Sequence, residues 1–275
     1  MPDRYISLSQ GHLNLLAQCP RKFQHVYLEQ LASPLSPKQQ TSQQWGTQFH
    51  QLMQQRELGL PIDPFLREDP TLQQCLAGFL QAAPDLLNLA SERTDGQLRQ
   101  SEHQRVLKMG NVLLVVIYDL LITDRVMAQI LDWKTYSRPR NQSWLQDNWQ
   151  TRLYPFVLTE TSQYEPNRIS MTYWFVQPPA TADASAPAPQ SLRFDYNGNL
   201  HEKTRQALID LLDRLSDWLE RYQKNDEPFP QVAENQGHCL DCPFALRCHR
   251  SPIDRDATDA ENPVSDLESI AEIAL

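Results

Sequence analysis

The chain has 275 residues, of which 40% are hydrophobic, and a formal net charge of −9. This length and apolar content exclude a disulfide-dependent miniprotein and a disordered chain, and they fit one large domain or two small ones. Only 8 glycines occur, and no glycine-rich phosphate-binding motif is present. A P-loop ATPase and a Rossmann-type dinucleotide enzyme are therefore excluded, and we expect no nucleotide cofactor.

The first ten residues include an acid and lack the apolar core of a secretory leader. The longest apolar run, 112–122, is interrupted by an aspartate and is about half as long as a membrane span. We therefore expect a cytoplasmic protein without membrane contacts. Its five cysteines should then stay reduced and be available as metal ligands.

Helical periodicity dominates the first part of the chain. Two short helices are predicted over 7–30, meeting at Cys19, and further helices are predicted over 43–58 and 71–82. We therefore expect residues 1–95 to form a helical N-terminal part.

The pattern then changes to short runs of Val, Ile and Leu separated by turn residues, which is typical of consecutive strands. Strands are predicted at 104–108, 112–122, 128–131 and 168–177, with a helix over 143–158. Residues 96–177 are therefore expected to hold a sheet with its helix and to form the catalytic part.

The end of the chain divides into four predicted segments. These are a Pro/Ala-rich flexible loop at 178–190, a strand and a long amphipathic helix within 191–236, a cysteine motif at 237–250, and a disordered tail at 251–275. Residues 1–250 are thus expected to form one domain. The tail holds seven acids and one arginine, so its formal charge of −6 leaves only −3 for the domain. The acidic average therefore does not exclude a nucleic-acid partner.

One acidic residue lies inside the most apolar predicted strand. Asp119 occurs within VVIYDLLI, where a buried carboxylate is costly unless it is paired or binds a cation. The next strand ends in Asp132-Trp133-Lys134, and the two-residue period of a strand places Asp132 and Lys134 on one face and Trp133 on the other. Two acids and a lysine are therefore expected to meet at adjacent strand ends.

Such a group suits phosphodiester hydrolysis. The carboxylates of Asp119 and Asp132 and the backbone carbonyl of Trp133 are the ligands that Mg²⁺ prefers. Lys134 would position an attacking water and stabilise charge on the phosphate. In a purely structural alternative, Asp119 and Lys134 form a buried salt bridge while Asp132 caps a turn, and the residues alone leave both interpretations open.

Four cysteines form a second candidate site. Three of them have C-x2-C-x5-C spacing, and a fourth precedes a proline near the other end of the chain: Cys239, Cys242, Cys248 and Cys19. Four thiolates suit zinc and iron–sulfur clusters alike, and His238 and His249 are alternative ligands for zinc. A metal centre would link the N-terminal helices to the C-terminal end of the domain.

The order of these motifs resembles the RecB-like branch of the PD-(D/E)XK nuclease superfamily. The matching elements are Gly46 to His50 (GTQFH), Glu102, Asp119, Asp132 to Thr135 (DWKT) and Gln150 to Tyr154 (QTRLY). The resemblance spans about Leu8 to Cys248. It implies a restriction-endonuclease-like α/β core, in which a mixed central sheet is flanked by helices.

The resemblance also implies residue roles. Its metal ligands are His50, Asp119 and Asp132, holding Mg²⁺ or Mn²⁺, and its catalytic lysine is Lys134. Gln150 and Tyr154 line the DNA path or orient the lysine, and Glu102 is a further candidate. The segment Gln18 to Phe23 (QCPRKF) is similar to a segment of the iron–sulfur members, which include AddB and the CRISPR adaptation nucleases. A [4Fe–4S] cluster bound by Cys19, Cys239, Cys242 and Cys248 is therefore implied, with structural zinc as the alternative.

The sequence departs from the family pattern at two positions. Val116 replaces a glycine that usually stands three residues before the strand aspartate, and we expect it to narrow the approach of substrate. Pro155 follows Tyr154 directly, removes a hydrogen bond to Thr151 and is expected to kink or restart the helix.

The sequence thus predicts a metal-dependent DNA nuclease, an exonuclease or an enzyme acting on single strands or ends, in DNA repair, recombination or CRISPR-type DNA processing. Because the chain lacks an ATPase motif, any helicase would be a separate partner, recruited directly or through a repair complex. One alternative is a catalytically weak DNA-binding or scaffolding module with a structural Fe–S or zinc site. Another is a zinc protein without a nucleic-acid role.

Overall fold

A computed structural model describes residues 5–31, 34–87, 97–179 and 184–250. A mixed six-stranded sheet lies between two layers of helices, as predicted. The predicted tail at 251–275, and residues 180–183 of the predicted loop, lie outside the described residues. Within the described part of the chain, every helix is too short or too polar to cross a membrane.

The strands are β1 (Ile6–Leu8), β2 (Leu98–Met109), β3 (Val112–Thr123), β4 (Ala128–Lys134), β5 (Ile169–Phe175) and β6 (Gln190–Asp195). The helices are α1 (Gln10–Gln18), α2 (Pro20–Phe23), α3 (Pro37–Glu57), α4 (Asp63–Glu68), α5 (Pro70–Ala82), α6 (Pro84–Leu87), α7 (Gln142–Asp147), α8 (Trp149–Glu160) and α9 (Gly198–Asn225). A π-helical turn, Gln24–Leu28, follows α2 directly, and 3-10 turns lie at Pro166–Arg168, Glu234–Gln236 and Leu246–Cys248.

The sheet is built around β3. Strand β2 pairs with β3 in antiparallel orientation along its whole length. On the other edge, β1 pairs in parallel with residues 112–114, and β4 pairs in antiparallel orientation with residues 120–123. Strand β5 is parallel to β4 and antiparallel to β6. Residues 115–119 of β3 lie between the segments that pair with β1 and β4. Among the described strands, β2 is therefore the only neighbour of this stretch.

Each face of the sheet has its own hydrophobic core. Helices α1, α8 and α9 cover one face, which we call the α8 face, and α3 and α5 cover the other, which we call the α3 face. Before Asp119, the even-numbered residues Val116 and Tyr118 of β3 point into the core of the α8 face. After Asp119, the odd-numbered Leu121 points to that face, and Leu120 points to the α3 face. The alternation of β3 therefore changes phase at Asp119, between these two pairs.

The structure corrects three local expectations. The N-terminal part is not entirely helical, because β1 adds a short strand to the sheet edge. The predicted helix over 143–158 is two helices, divided at Asn148, whose side chain caps α8 by accepting a hydrogen bond from the Gln150 amide at 2.9 Å. Helix α8 does not restart at Pro155, because burial along most of its length offsets the missing backbone hydrogen bond.

Candidate functional site

Strands β3 and β4 separate where the two predicted acids lie. Their ladder stops at the pair Leu120 and Leu131. Just beyond it, the backbone amide of Trp133 donates a hydrogen bond of 2.6 Å to Oδ2 of Asp119. The Asp119 side chain thus accepts the hydrogen bond of a β4 amide that no longer pairs with the β3 backbone. We call this end of the pairing the gap between the two strands.

Three potential metal-binding groups meet beside this gap. One ligand atom from each of His50, Glu102 and Asp119 lies within 4.8 Å of the others, and Nδ1 of His50 is 3.4 Å from Oδ1 of Asp119. The side chains of His50 and Asp119 are 24% and 11% exposed, so solvent reaches the group. We call these three residues the acid–histidine cluster.

A distorted backbone places Glu102 in this cluster. The neighbouring pairs Ser101–Leu120 and His103–Tyr118 put Glu102 opposite Asp119 in register. Its φ angle is 49°, in the left-handed region that residues other than glycine seldom adopt. The distortion coincides with the phase change in β3, so both strands depart from regular geometry at the cluster.

Asp132 and Lys134 form a buried pair on the α8 side of the gap. Nζ of Lys134 is 2.7 Å from Oδ1 of Asp132, and Nε2 of Gln150 donates to Oδ2 of Asp132 at 2.6 Å. The side chains of Lys134 and Asp132 are only 5% and 2% exposed, so the aspartate holds the lysine in a fixed position. Lys134 also lies 5.5 Å from the centre of the Tyr173 ring.

Three further side chains of this region, each named in the predictions from sequence, are buried. Trp133 packs into the core of the α3 face, opposite to Asp132 and Lys134, as the strand period predicts. Tyr154 is 3% exposed, with its ring edge-on to Tyr118 at 5.4 Å. Val116 points into the core of the α8 face, away from α3. Its side chain lies on the sheet face opposite to His50 but on the same side as Asp132 and Lys134, so the expectation that it narrows the substrate approach stays a prediction.

Two contacts fix helix α3, which carries His50, to the sheet. A Cβ atom placed on Gly46 would be 3.0 Å from Oγ1 of Thr135, so the helix approaches the end of β4 closely. Glu57 accepts two hydrogen bonds from Arg99, of 2.9 and 2.8 Å. Glu57 lies two turns after His50, and Arg99 lies three residues before Glu102, so this ion pair ties the two ligand-bearing elements together.

The four cysteines of the second candidate site line one pocket. Lys22 and Phe244 line it too, with Cys19, Cys239, Cys242 and Cys248. The backbone amide and the Nε of Arg21 donate to the carbonyls of Pro230 and Phe229, at 3.1 and 2.6 Å. These hydrogen bonds hold the segment that contains Cys19 against the C-terminal part of the domain.

The thiols of this pocket shift one another's pKa values. Burial raises the pKa of Cys242 and of Cys248, and the thiols of Cys19 and Cys239 raise both further. Nearby cations oppose this effect: Lys22 lowers the pKa of Cys242, and Arg21 lowers that of Cys248. The raised pKa values favour protonated thiols in the metal-free protein, and a bound metal would supply the positive charge that stabilises four neighbouring thiolates.

Comparison with known proteins decides the family. The family model described as the PD-(D/E)XK nuclease superfamily matches residues 7–249. The chain belongs to the PD-(D/E)XK nuclease superfamily. A crystal structure of a protein from Eubacterium rectale named "Putative exonuclease" has the same fold, with a TM-score of 0.52 over 97% of this chain and 94% of that one at 11% identity. None of the curated proteins gives a significant match.

Within this PD-(D/E)XK nuclease fold, sequence reasoning missed the two contacts that hold α3. A glycine four residues before His50 was visible in the sequence, but the approach of Thr135 depends on tertiary packing. Sequence spacing also gave no indication that Glu57 and Arg99 pair. Glu102 was found only through the family motif, because its backbone conformation has no marker in the sequence.

Proposed function

We propose that this protein is a metal-dependent DNA nuclease that hydrolyses phosphodiester bonds. The observation that carries the proposal is the acid–histidine cluster, which lies beside the buried Asp132–Lys134 pair at the gap between β3 and β4. Membership of a nuclease superfamily supports the same reaction class.

The donor atoms fit a catalytic Mg²⁺ or Mn²⁺. His50, Glu102 and Asp119 would hold the ion, and Asp132 and the carbonyl of Trp133 are further proposed ligands. Carboxylate oxygens suit Mg²⁺ and Mn²⁺ equally, whereas an imidazole nitrogen favours ions later in the first transition row. We therefore expect Mn²⁺ to support at least as much activity as Mg²⁺. A bound ion would supply positive charge opposite the reacting phosphate.

The protein groups have separable roles in this proposal. Lys134 donates hydrogen bonds from its ammonium to the attacking water and to a phosphate oxygen, where negative charge develops. Asp132 fixes the ammonium through the 2.7 Å contact, and Gln150 fixes Asp132 from the opposite side. Tyr154, which is buried, acts by packing and not by touching substrate.

We also propose which form of DNA the protein cleaves and in which process it acts. The partly buried cluster fits a single strand or a strand end better than an intact duplex, and the name of the Eubacterium rectale protein supports an exonuclease. We propose a cytoplasmic setting in DNA repair, recombination or CRISPR-type DNA processing, where a separate helicase or repair complex would supply unwound DNA.

We propose that the four cysteines hold a [4Fe–4S] cluster with a structural role. All four line one pocket of the described chain. Four thiolates suit zinc as well as an iron–sulfur cluster. The resemblance of Gln18 to Phe23 to a segment of the iron–sulfur members supports the cluster.

A nuclease assay with divalent metals tests the catalytic proposal. Single-stranded and duplex DNA, each with free ends or circular, would be incubated with Mn²⁺, Mg²⁺ or EDTA. We expect cleavage only with metal and a loss of activity in Asp119→Asn. In Lys134→Met, the cleavage rate should fall by at least about 100-fold. Asp213→Asn, an exposed change on α9, is the matched control.

Two results would contradict the proposal. Full activity in Asp119→Asn and Lys134→Met would remove the catalytic assignment. Tight DNA binding by the folded parent without cleavage of any substrate would favour the binding-module alternative. Iron, acid-labile sulfide and a visible absorption band in anaerobically purified protein test the cluster separately.

A further inference from the structure

A π-helical turn next to the cysteine pocket carries a buried histidine. The turn, Gln24–Leu28, follows the short helix that begins one residue after Cys19. Phe23, Gln24 and His25 are consecutive and all 5% exposed or less, whereas a regular surface helix buries residues three or four apart. The wider turn therefore points two polar side chains inward, and such turns occur frequently at functional sites.

The histidine contacts one of the four cysteines. Nε2 of His25 is 3.9 Å from Sγ of Cys248, within reach of a hydrogen bond to sulfur. The imidazole ring also packs 5.1 Å from the ring of Phe244, which lies between Cys242 and Cys248 in the chain. His25 thus touches the cysteine motif at two points, one polar and one apolar.

A glutamate fixes the orientation of this ring. Nδ1 of His25 is 2.7 Å from Oε2 of Glu29, and Nε2 of Gln24 donates to Oε1 of the same carboxylate at 2.5 Å. Burial would raise the pKa of Glu29, but hydrogen bonds from His25 and Gln24 hold this pKa below its usual value. Glu29 is therefore a carboxylate acceptor, which keeps a proton on Nδ1 and directs Nε2 at Cys248.

We propose that His25 is a positioning residue of the cysteine centre, forming a hydrogen bond from Nε2 to the sulfur of Cys248 while Glu29 orients the ring. The inference rests on the proposed metal centre. A cysteine sulfur that binds a metal is a thiolate and accepts hydrogen bonds. With Glu29 accepting from Nδ1, Nε2 donates to this sulfur as the second N–H of an imidazolium, which lies between the carboxylate and the thiolate. Hydrogen bonds to ligand sulfurs raise the reduction potential of an iron–sulfur cluster and protect it.

Two substitutions separate this role from simple packing. His25→Phe keeps a planar ring against Phe244 but removes both nitrogens, whereas His25→Gln keeps an amide donor near the position of Nε2. Glu29→Gln leaves the imidazole in place and weakens its orientation, and it serves if His25→Phe does not fold. The readouts for anaerobically purified, full-length protein are the iron and sulfide content, the midpoint potential, and the rate at which the visible absorption is lost in air.

We expect His25→Phe to have a lower midpoint potential and to lose its cluster about 10- to 100-fold faster than the parent. We expect His25→Gln to recover most of the difference, and Glu29→Gln to lie between the parent and His25→Phe. If the parent holds zinc, the zinc affinity measured by chelator competition takes the place of the potential, with the same order of variants.

The possible failures are distinguishable. A parent without any metal at the cysteines would overturn both the proposed centre and the role of His25. A fully loaded parent whose potential, or zinc affinity, and stability are matched by His25→Phe would overturn the role of His25 alone. Neither result depends on nuclease activity, so the catalytic proposal is tested independently.

Discussion

Replacing Gly46 by alanine should weaken metal binding at the proposed catalytic site with little effect on folding. The new Cβ would be 3.0 Å from Oγ1 of Thr135 and 3.9 Å from its Cβ, where ordinary contacts begin at 3.4 Å. Helix α3 or Thr135 must therefore move by about 0.4 Å. Because His50 lies one helical turn after Gly46, the part of this shift that α3 takes up displaces His50, whereas metal–ligand distances tolerate only about 0.2 Å.

The expected effect is on metal affinity. We expect the Mn²⁺ affinity of Gly46→Ala to fall by about 10- to 100-fold, so that cleavage is slow at low Mn²⁺ and recovers as Mn²⁺ is raised. Alanine is a better helix former than glycine by about 1 kcal/mol, which offsets part of the steric cost in the free energy of unfolding. Calorimetric Mn²⁺ titration, initial cleavage rates and thermal unfolding measure the three quantities.

Two further variants serve as controls. In Gly78→Ala, the new Cβ on helix α5 would be 3.7 Å from Pro189, an ordinary contact, so its Mn²⁺ affinity should equal that of the parent. Adding Thr135→Ala to Gly46→Ala removes the clashing hydroxyl and should restore binding. An unchanged Mn²⁺ dependence in Gly46→Ala would refute the idea that this close approach positions His50.

The ion pair between Glu57 and Arg99 gives a second prediction: Arg99→Met should lower stability by about 2 kcal/mol and weaken Mn²⁺ binding, because the buried Glu57 carboxylate keeps only its longer contact of 3.6 Å with Arg56. The exchange Glu57→Arg with Arg99→Glu should recover part of both losses in unfolding and Mn²⁺ titrations, and an exchanged protein no better than Arg99→Met would count against the pairing. Burial would raise the pKa of Glu160, but hydrogen bonds from Arg205 and contacts with His201 hold it below its ordinary value of 4.5. Its stabilising effect is therefore present above pH 4.5 and lost as the pH falls through the lower folded value, so Glu160→Gln should show a smaller loss of stability in acid than the parent; equal acid profiles would contradict this. Cys19→Ser should abolish the visible absorption of the cysteine centre and lower the unfolding temperature, and an unaltered spectrum would remove Cys19 from the ligand set.

The parts of the fold that follow from periodicity were predictable. The strand period correctly placed Asp132 and Lys134 together and Trp133 on the opposite face. Helical periodicity likewise predicted a helix over 43–58, most of which lies in α3. These features depend on neighbours a few residues away, so local pattern was sufficient.

Other parts depend on contacts between distant segments. The left-handed backbone of Glu102 has no local cause, because glutamate does not favour that conformation. The phase change at Asp119 and the pairing of β1 with β3 depend on partners elsewhere in the chain. The break at Asn148 is different, since an asparagine before a helical run is a recognisable cap and could have been predicted.

The proposed catalytic groups come from opposite sides of the sheet, with His50 on α3 and Gln150 on α8. Asp119 of the central strand and the Asp132–Lys134 pair of its neighbour stand between these two helices. Both helical layers must therefore pack on the sheet before the proposed site is complete, so a partly folded copy would bind DNA or metal without cleaving.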